Sequence, residues 1–452
     1  MNNIKENNIT LIPNLLCYYI SNGFYYIVNP NIPNGDRIIT EDQKRVLDVL
    51  LKEDVSSILV NGSNVTEENT ASLLSALNEI KAISSNSSYN QTAILGDPKT
   101  LNFWVQTTNE CNLRCSYCYI QNLGQETSLK SSNINTFCDS IIKTVVKREL
   151  NTVRLRLAGG EPVLKLRIWK DIIPQLNNKL TSLNCKLKVS ILSNGLIVND
   201  ELLDFILNNH IGVYISLDGI SSFHDNTRHF KDGRGSFKMV SDNIIKLMTH
   251  GINPSIMTVV SDYNLDGLVD FTKFLIDAKI HARYSFVSGE SINKHRLLQV
   301  LKDCYNIFDK AIEEGYQFSK LHQLCNLKFN ETIPQTCSSG FNGGALFTDG
   351  RIYFCQRLFG IDKPLGTIYE DDDLLSIIRR KSYYGNTSID CQQCFFQNVC
   401  KSGCPLDRIN NKSPHCDIFK AIIPIIYRLR GKELLYSSIL LKKTDHQIPS
   451  VR

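Results

Sequence analysis

The 452-residue chain has no apolar run approaching the roughly 20 residues that a membrane-spanning helix needs. Its most apolar tail stretch, 419-FKAIIPIIYRLRGKELL-435, is interrupted by Pro424 and then by charge. Behind the opening MNNIKENNIT there is no hydrophobic signal core, so a cytoplasmic location without a membrane partner is expected. Strong charge is missing too: a net of +5 over this length gives no reason to expect nucleic acid as a partner. Cysteine, by contrast, is plentiful. An odd total of 15 in a reducing compartment points to metal ligation rather than to a disulfide framework.

The length calls for more than one core, and the pattern along the chain divides it into four parts. Residues 1–95 contain 15-LLCYYISNGFYYIVNP-30, read as two strands around an Asn-Gly turn, since that pair readily takes the positive φ of a tight hairpin. Two helices follow, 40-TEDQKRVLDVLLKE-53 and 66-TEENTASLLSALNEIKAI-83, each opened by a capping Thr. A hairpin with short helices suggests a winged-helix-like unit. The polar stretch 84-SSNSSYNQT-92 reads as a linker.

From 96 to 319 the chain alternates strands with helical patterns. The strands are 102-NFWVQT, 153-VRLRLA, 187-LKVSILS, 213-VYISLD, 255-SIMTVV and 283-RYSFV. Six such βα units predict a parallel α/β sheet, either open and doubly wound or a partial (β/α)6 TIM-like barrel. The notable residues all follow strand ends. Cys111, Cys115 and Cys118 come after the first, Gly159-Gly160-Glu161 after the second, Ser193 and Asn194 after the third, Ser216 and Asp218 at the fourth. In a parallel barrel that face carries active sites. Residues 320–418 lose the alternation and hold most of the remaining cysteines, and 419–452 form a C-terminal helix and tail.

The stretch 107-TTNECNLRCSYCYIQ-121 spaces its cysteines C-x3-C-x2-C with no fourth nearby. Structural zinc wants four ligands, and c-type haem attachment wants a His where Tyr119 stands. A four-iron cluster held by three thiolates leaves one iron open to a small molecule. The competing reading is that residues at i, i+4 and i+7 mark the buried face of a helix, where cysteine packs as a small hydrophobe. In 157-LAGGEP-162 two glycines would let the backbone approach a ligand, and Glu161 would offer a carboxylate to an ammonium group. A turn with a solvated acid is the plainer alternative.

The loop 111-CNLRCSYC-118 resembles the signature of the radical S-adenosylmethionine superfamily. The resemblance implies a catalytic [4Fe–4S] cluster on Cys111, Cys115 and Cys118, and S-adenosyl-L-methionine bound with help from Gly159, Gly160 and Glu161. It further implies that Ser193, Asn194, Ser216 and Arg228 contact ribose or carboxylate, with Tyr117 and Val259 near the adenine. An ordinary turn at 193–195 and a simple ion pair at Arg228 are the alternatives.

Cys337, then Gly350-x4-Cys355, Cys391-x2-Cys394-x5-Cys400-x3-Cys404 and Cys416 resemble the seven-cysteine pattern of SPASM domains. That resemblance implies two auxiliary [4Fe–4S] clusters, with Cys391, Cys394, Cys400 and Cys416 on the distal one and Cys337, Cys355 and Cys404 on the inner one. Paired zinc ribbons are the structural alternative, although seven ligands do not fill two four-coordinate sites. Of the other cysteines, Cys17, Cys138, Cys185 and Cys304 read as packing residues, and Cys325 is a candidate fourth ligand of the inner cluster. The open alternative would leave an iron for a substrate thiolate. The segment 316-YQFSKLHQLC-325 reads as a helix end that could bury Cys325, which favours the open site.

Together these features resemble radical SAM/SPASM peptide maturases. The N-terminal unit would bind a precursor's leader as an added strand. Its acidic residues outnumber its basic ones, which opposes DNA binding. The implied reaction is a cross-link in a ribosomally made peptide, foremost a cysteine thioether, with an external electron donor such as flavodoxin or ferredoxin. Carbon–carbon or carbon–oxygen cross-linking is the nearest rival. Formylglycine formation, as in anaerobic sulfatase maturation, is the other enzyme class, and no acidic base for it is identifiable.

Overall fold

The computed structural model describes residues 10–12, 15–32, 34–52, 66–84, 98–124, 127–289, 292–324, 326–329, 335–383 and 385–445. The proposed linker and Cys325 lie outside them, apart from Ser84 at the linker's start.

A ten-stranded sheet dominates the structure. Strands Thr100–Thr108, Thr152–Gly159, Lys186–Ser193, Gly212–Ser216, Ser255–Val260 and Ala282–Phe286 pair in parallel, each with the next in sequence. Across these six strands the order is sequential, without the reversal at a switch point that a doubly wound sheet would show. Helices return the chain between strands, as right-handed crossovers require.

A seventh parallel strand, His322–Leu324, pairs with Ala282–Tyr284 and ends the sheet. The sequence reading made this segment the end of a helix. Only Phe318–Leu321 is helical, and edge pairing claims the rest. At the other margin Gly343–Leu346 pairs in parallel with Asn102–Val105, and the hairpin strands Arg351–Tyr353 and Gly366–Thr367 follow. The cysteine-rich region is therefore joined to the first strand by backbone hydrogen bonds and is not a detached module.

The first strand shows in its burial why one end matters. Leu101, Phe103 and Val105 alternate into the core, and then Gln106, Thr107 and Thr108 are all fully buried despite being polar. A buried polar run at a strand's carboxyl end needs partners, and the site described below supplies some of them.

The hairpin Leu16–Ser21/Phe24–Val28 turns at Asn22 and Gly23, both at positive φ, and Asp36–Thr40 adds a third strand. Helices Glu41–Lys52 and Glu67–Glu79 follow. Thr40 and Gln43 form a reciprocal capping box, and Thr66 Oγ1 accepts from Asn69 N–H. Alternation sends Ile27 and Ile39 to these helices and Ile20, Tyr26 and Val28 to the main core. That core includes the C-terminal helix Cys416–Asp445, where Tyr427 stacks on Tyr18 at 5.7 Å. The helix runs through Pro424, so this proline interrupts the apolar sequence without ending the helix. Among the described residues no helix is long and apolar enough to cross a membrane.

Candidate active site

The cysteine loop is fixed to the second strand through the backbone. Gly160 N–H donates to Thr108 O and Glu161 N–H to Glu110 O, both at 2.7 Å. A Cβ on Gly159 would stand 2.2 Å from Thr108 O, and one on Gly160 2.0 Å from Glu110 O. These glycines let two protein backbones meet. On the other flank, Arg114 N–H donates to His229 O at 2.8 Å and Ser116 N–H to Thr227 O at 2.9 Å. The loop is thus clamped between segments 159–161 and 227–229.

Glu161 is buried, and its carboxylate already has protein donors: Ser193 Oγ at 2.9 Å, Val163 N–H at 3.1 Å and Asn194 N–H at 2.7 Å. Burial pushes its pKa up to about 7 against the pull of these bonds. A carboxylate offers about four acceptor sites, so one further donor can be accommodated. Asn194 Nδ2 reaches Asn112 Oδ1 at 2.6 Å and Cys111 Sγ at 3.8 Å. The ends of the second and third strands therefore meet the first cysteine through Glu161 and Asn194.

Asp218 organises the opposite side. It is fully buried, and its Oδ2 accepts from Tyr117 OH, from Thr227 Oγ1 at 3.0 Å and from Arg228 Nε at 2.8 Å. Its Oδ1 accepts from Val259 N–H at 2.9 Å. Arg228 then directs Nη1 to Cys115 Sγ at 3.7 Å and lies 5.3 Å over the Tyr117 ring. Burial disfavours the guanidinium charge, but Asp218 outweighs it and keeps Arg228 protonated. Ser216 is buried at the end of the fourth strand, in register with Met257. Of the residues singled out from sequence, Tyr117, Arg228 and Val259 converge on Asp218, which was noted only as a strand-end residue. Its position in 216-SLDG-219 was the available signal.

Of the loop thiols Cys115 is buried, and Cys111 and Cys118 are half-buried. Burial pushes Cys111 up to about 12, opposed by the Leu113 N–H at 3.5 Å, and Cys115 up to about 11, opposed by Arg228. Left as thiols they stay protonated at neutral pH; the N–H and guanidinium donors at sulfur suit thiolate, the form a metal requires. Among the described residues no three His, Cys, Asp or Glu side chains converge as a single metal ion would demand.

The C-terminal thiols fall into two neighbourhoods. Burial raises Cys400 to about 12, and the charges of Cys416, Cys391 and Cys394 add to the shift. Burial likewise raises Cys404 to about 12 and Cys355 to about 11, and Cys337 acts on both. Arg357 pairs with Asp407 at 2.8 Å and reaches Cys404 Sγ at 3.7 Å. Arg408 donates to the carbonyls of Lys401, Ser402, Gly403, Tyr383 and Asn386, tying the two neighbourhoods together. Tyr119 is coupled electrostatically to both Cys118 and Cys355, so it lies between the loop and the inner group.

A family model described as the Radical SAM superfamily matches residues 105–275. A serine-type anaerobic sulfatase-maturating enzyme of Bacteroides thetaiotaomicron is 25% identical over 343 residues, covering 66% of this chain and 81% of that one. An uncharacterized protein of Methanocaldococcus jannaschii is 30% identical over 285 residues, 62% of this chain and 93% of its own. The sporulation killing factor maturation protein of Bacillus subtilis is 25% identical over 276 residues, 59% and 62%. Among solved structures, a chain titled native anSMEcpe with bound AdoMet and Kp18Cys peptide aligns with TM-score 0.60 at 18% identity, over 75% of this chain and 99% of its own. Streptococcus suis SuiB bound to precursor peptide SuiA aligns with TM-score 0.51 at 14% identity, over 90% and 98%.

Proposed function

We propose, from the premise that this chain belongs to the radical SAM superfamily and is an enzyme of radical oxidative modification acting on peptides or proteins, that it installs a cysteine thioether cross-link in a ribosomally made precursor peptide. The observation that carries this reading is the N-terminal sheet. Among the described residues its strand Leu16–Ser21 pairs on one side only, which leaves a main-chain edge that an extended peptide can join. The fold likeness to the precursor-bound structure spans 90% of the chain against 75% for the structure with bound AdoMet and Kp18Cys peptide, a difference on the scale of an N-terminal unit.

In this reading residues 1–95 are a winged-helix-like leader-recognition domain, 96–319 the radical SAM partial barrel, 320–418 a SPASM domain and 419–452 a C-terminal helix and tail. Cys111, Cys115 and Cys118 would hold the catalytic cluster. Cys391, Cys394, Cys400 and Cys416 would hold one auxiliary cluster, and Cys337, Cys355 and Cys404 the other. S-adenosylmethionine bound at the catalytic cluster supplies a 5′-deoxyadenosyl radical that abstracts a hydrogen atom.

The chain's own residues orient and shield. Glu161 holds the third strand's end against the cysteine loop and keeps one acceptor position for an ammonium group. Asp218 fixes the Tyr117 ring, the Val259 backbone and Arg228 in one arrangement. Ser193, Asn194 and Ser216 border the same strand ends. An external flavodoxin or ferredoxin would supply the electron.

Sulfatase maturation is the second reading, favoured by the 81% coverage of the Bacteroides enzyme. The two separate on one experiment. The anaerobically reconstituted protein is incubated with S-adenosylmethionine and either a Cys-containing small peptide encoded beside it or a sulfatase-type peptide. A thioether removes two hydrogens and one free thiol from the first. An aldehyde trapped by hydrazine on the second would overturn the cross-linking assignment.

A further inference from the structure

Between the sheet's outer strand His322–Leu324 and the C-terminal helix lies a cavity of ≈110 Å³, lined in part by Arg283, Tyr305, His322, Lys328, Ile426 and Arg430. It is remote in the sheet from the cysteine loop, which follows the strand six places away. Among the described residues, thirteen buried side-chain N or O atoms have no hydrogen-bond partner, and four of them belong to this one lining: Arg283 Nε, Tyr305 OH, His322 Nε2 and Arg430 Nε. All four groups can donate a hydrogen bond, given a neutral His322 protonated at Nε2.

Among the described residues the lining contains basic side chains and no Asp or Glu. Nearby carboxylates are engaged elsewhere: Asp309 pairs with Arg428 at 2.8 Å and Lys432 at 3.3 Å, and Glu433 accepts from Ser319 N–H at 3.0 Å. Several of the donors are held rigidly. His322 is packed by Tyr284 and Phe308, at 4.7 and 4.8 Å between ring centres. Arg430 lies 5.3 Å over Phe329, which in turn meets Tyr427 edge-on. Leaving such donor atoms buried and unpaired is costly, and beside two guanidinium groups an anionic acceptor satisfies them better than water does. A guanidinium fork matches a planar oxyanion with two oxygens. The space is roomy enough to admit a carboxylate on a short aliphatic chain.

We propose that this cavity is a receptor for a single carboxylate, presented either by an acidic side chain of a peptide or by a free small acid. Its location supports a peptide source, because Tyr427 on the neighbouring helix stacks on Tyr18 of the open-edged strand Leu16–Ser21. The inference stands apart from the bond that the enzyme forms, since it concerns binding alone.

The test is calorimetric titration of the reconstituted full chain, at fixed ionic strength, with glutarate and with N-acetyl-glutamate N-methylamide. One-site saturable binding is expected, weakened tenfold or more in Arg283→Gln and in Arg430→Gln and less in Arg283→Lys. Tyr305→Phe, which removes only a hydroxyl, should weaken it several-fold and guards against misfolding of the arginine variants. Binding of both probes, or of the capped glutamate alone, assigns the site to a peptide side chain; binding of glutarate alone assigns it to a free acid. Absence of saturable binding by the unaltered protein would overturn the proposal, as would equal affinity in folded Arg283→Gln, Arg430→Gln and Tyr305→Phe.

Discussion

Arg228 reaches Cys115, with Nη1 3.7 Å from Sγ. The cation is held there by Asp218, so one buried ion pair supports both the geometry of the cysteine loop and the charge beside a thiolate. A positive charge next to a cluster ligand favours the more negative, reduced cluster.

Arg228→Gln should therefore lower the reduction potential of the cluster proposed on the loop, measured by an EPR-monitored titration of the reconstituted protein. It should also destabilise the fold by about 3 kcal/mol, because Asp218 is left buried without its counter-charge. Adding Asp218→Asn should recover part of the stability but not the potential. An unchanged potential in Arg228→Gln would contradict the electrostatic role.

Gly160→Ala places a methyl carbon where Glu110 O already lies, 2.0 Å away. The loop must shift, and the expected result is loss of about a third of the bound iron with the auxiliary signals intact. Gly124→Ala is the control: unlike Gly160 it is left-handed, at φ 71°, and among the described residues it meets open space, so it should cost only about 1–2 kcal/mol and no iron. Iron analysis with EPR separates the two, and full iron in Gly160→Ala would argue against the packing account.

Unaltered protein should hold about twelve irons per chain after anaerobic reconstitution. Replacing Cys111, Cys115 and Cys118 by Ala should abolish 5′-deoxyadenosine formation while about two-thirds of that iron remains, since the other thiols lie in separate neighbourhoods. Retained cleavage by the triple variant would remove the loop from the chemistry, and stoichiometric zinc with about four irons would remove the auxiliary clusters.

Gly431 sits where the C-terminal helix meets the N-terminal sheet, and a Cβ there would be 2.5 Å from Tyr26 Cβ. Gly431→Leu should push the sheet off the helix at a cost of about 1–3 kcal/mol. Calorimetry should show a lower Tm, and peptide binding should weaken while S-adenosylmethionine cleavage without peptide persists. This variant probes the docking more cleanly than deleting residues 1–95, because Ile20, Tyr26 and Val28 are part of the main core. Unchanged Tm and peptide binding would show that the docking does not matter.

Much of the architecture was legible because local rules govern it. The six strands announced themselves as short apolar runs between helical patterns, and Asn22-Gly23 marked its hairpin because few other pairs take that φ readily. Thr66 showed as a cap because an extended residue with a short hydroxyl side chain can accept the first free N–H groups. His322–Leu324 escaped because a three-residue edge strand leaves too little periodicity to read and exists only through its neighbour.

By itself, then, the sequence determined which residues could carry the chemistry: the spacing of Cys111, Cys115 and Cys118, the strand-end position of Glu161, and the cysteine pattern from Cys337 to Cys416. Thiol spacing and strand periodicity are local properties, so they survive in one dimension. Only the tertiary structure decided what those residues touch. Asp218 became the anchor of Tyr117, Arg228 and Val259 because strands distant in sequence end side by side. Gly159 and Gly160 serve backbone packing because the cysteine loop crosses them. Arg283 and Arg430 share a cavity because the C-terminal helix returns to the sheet's open edge. Such relationships depend on long-range packing that brings together residues tens to hundreds of positions apart, and no local pattern records them.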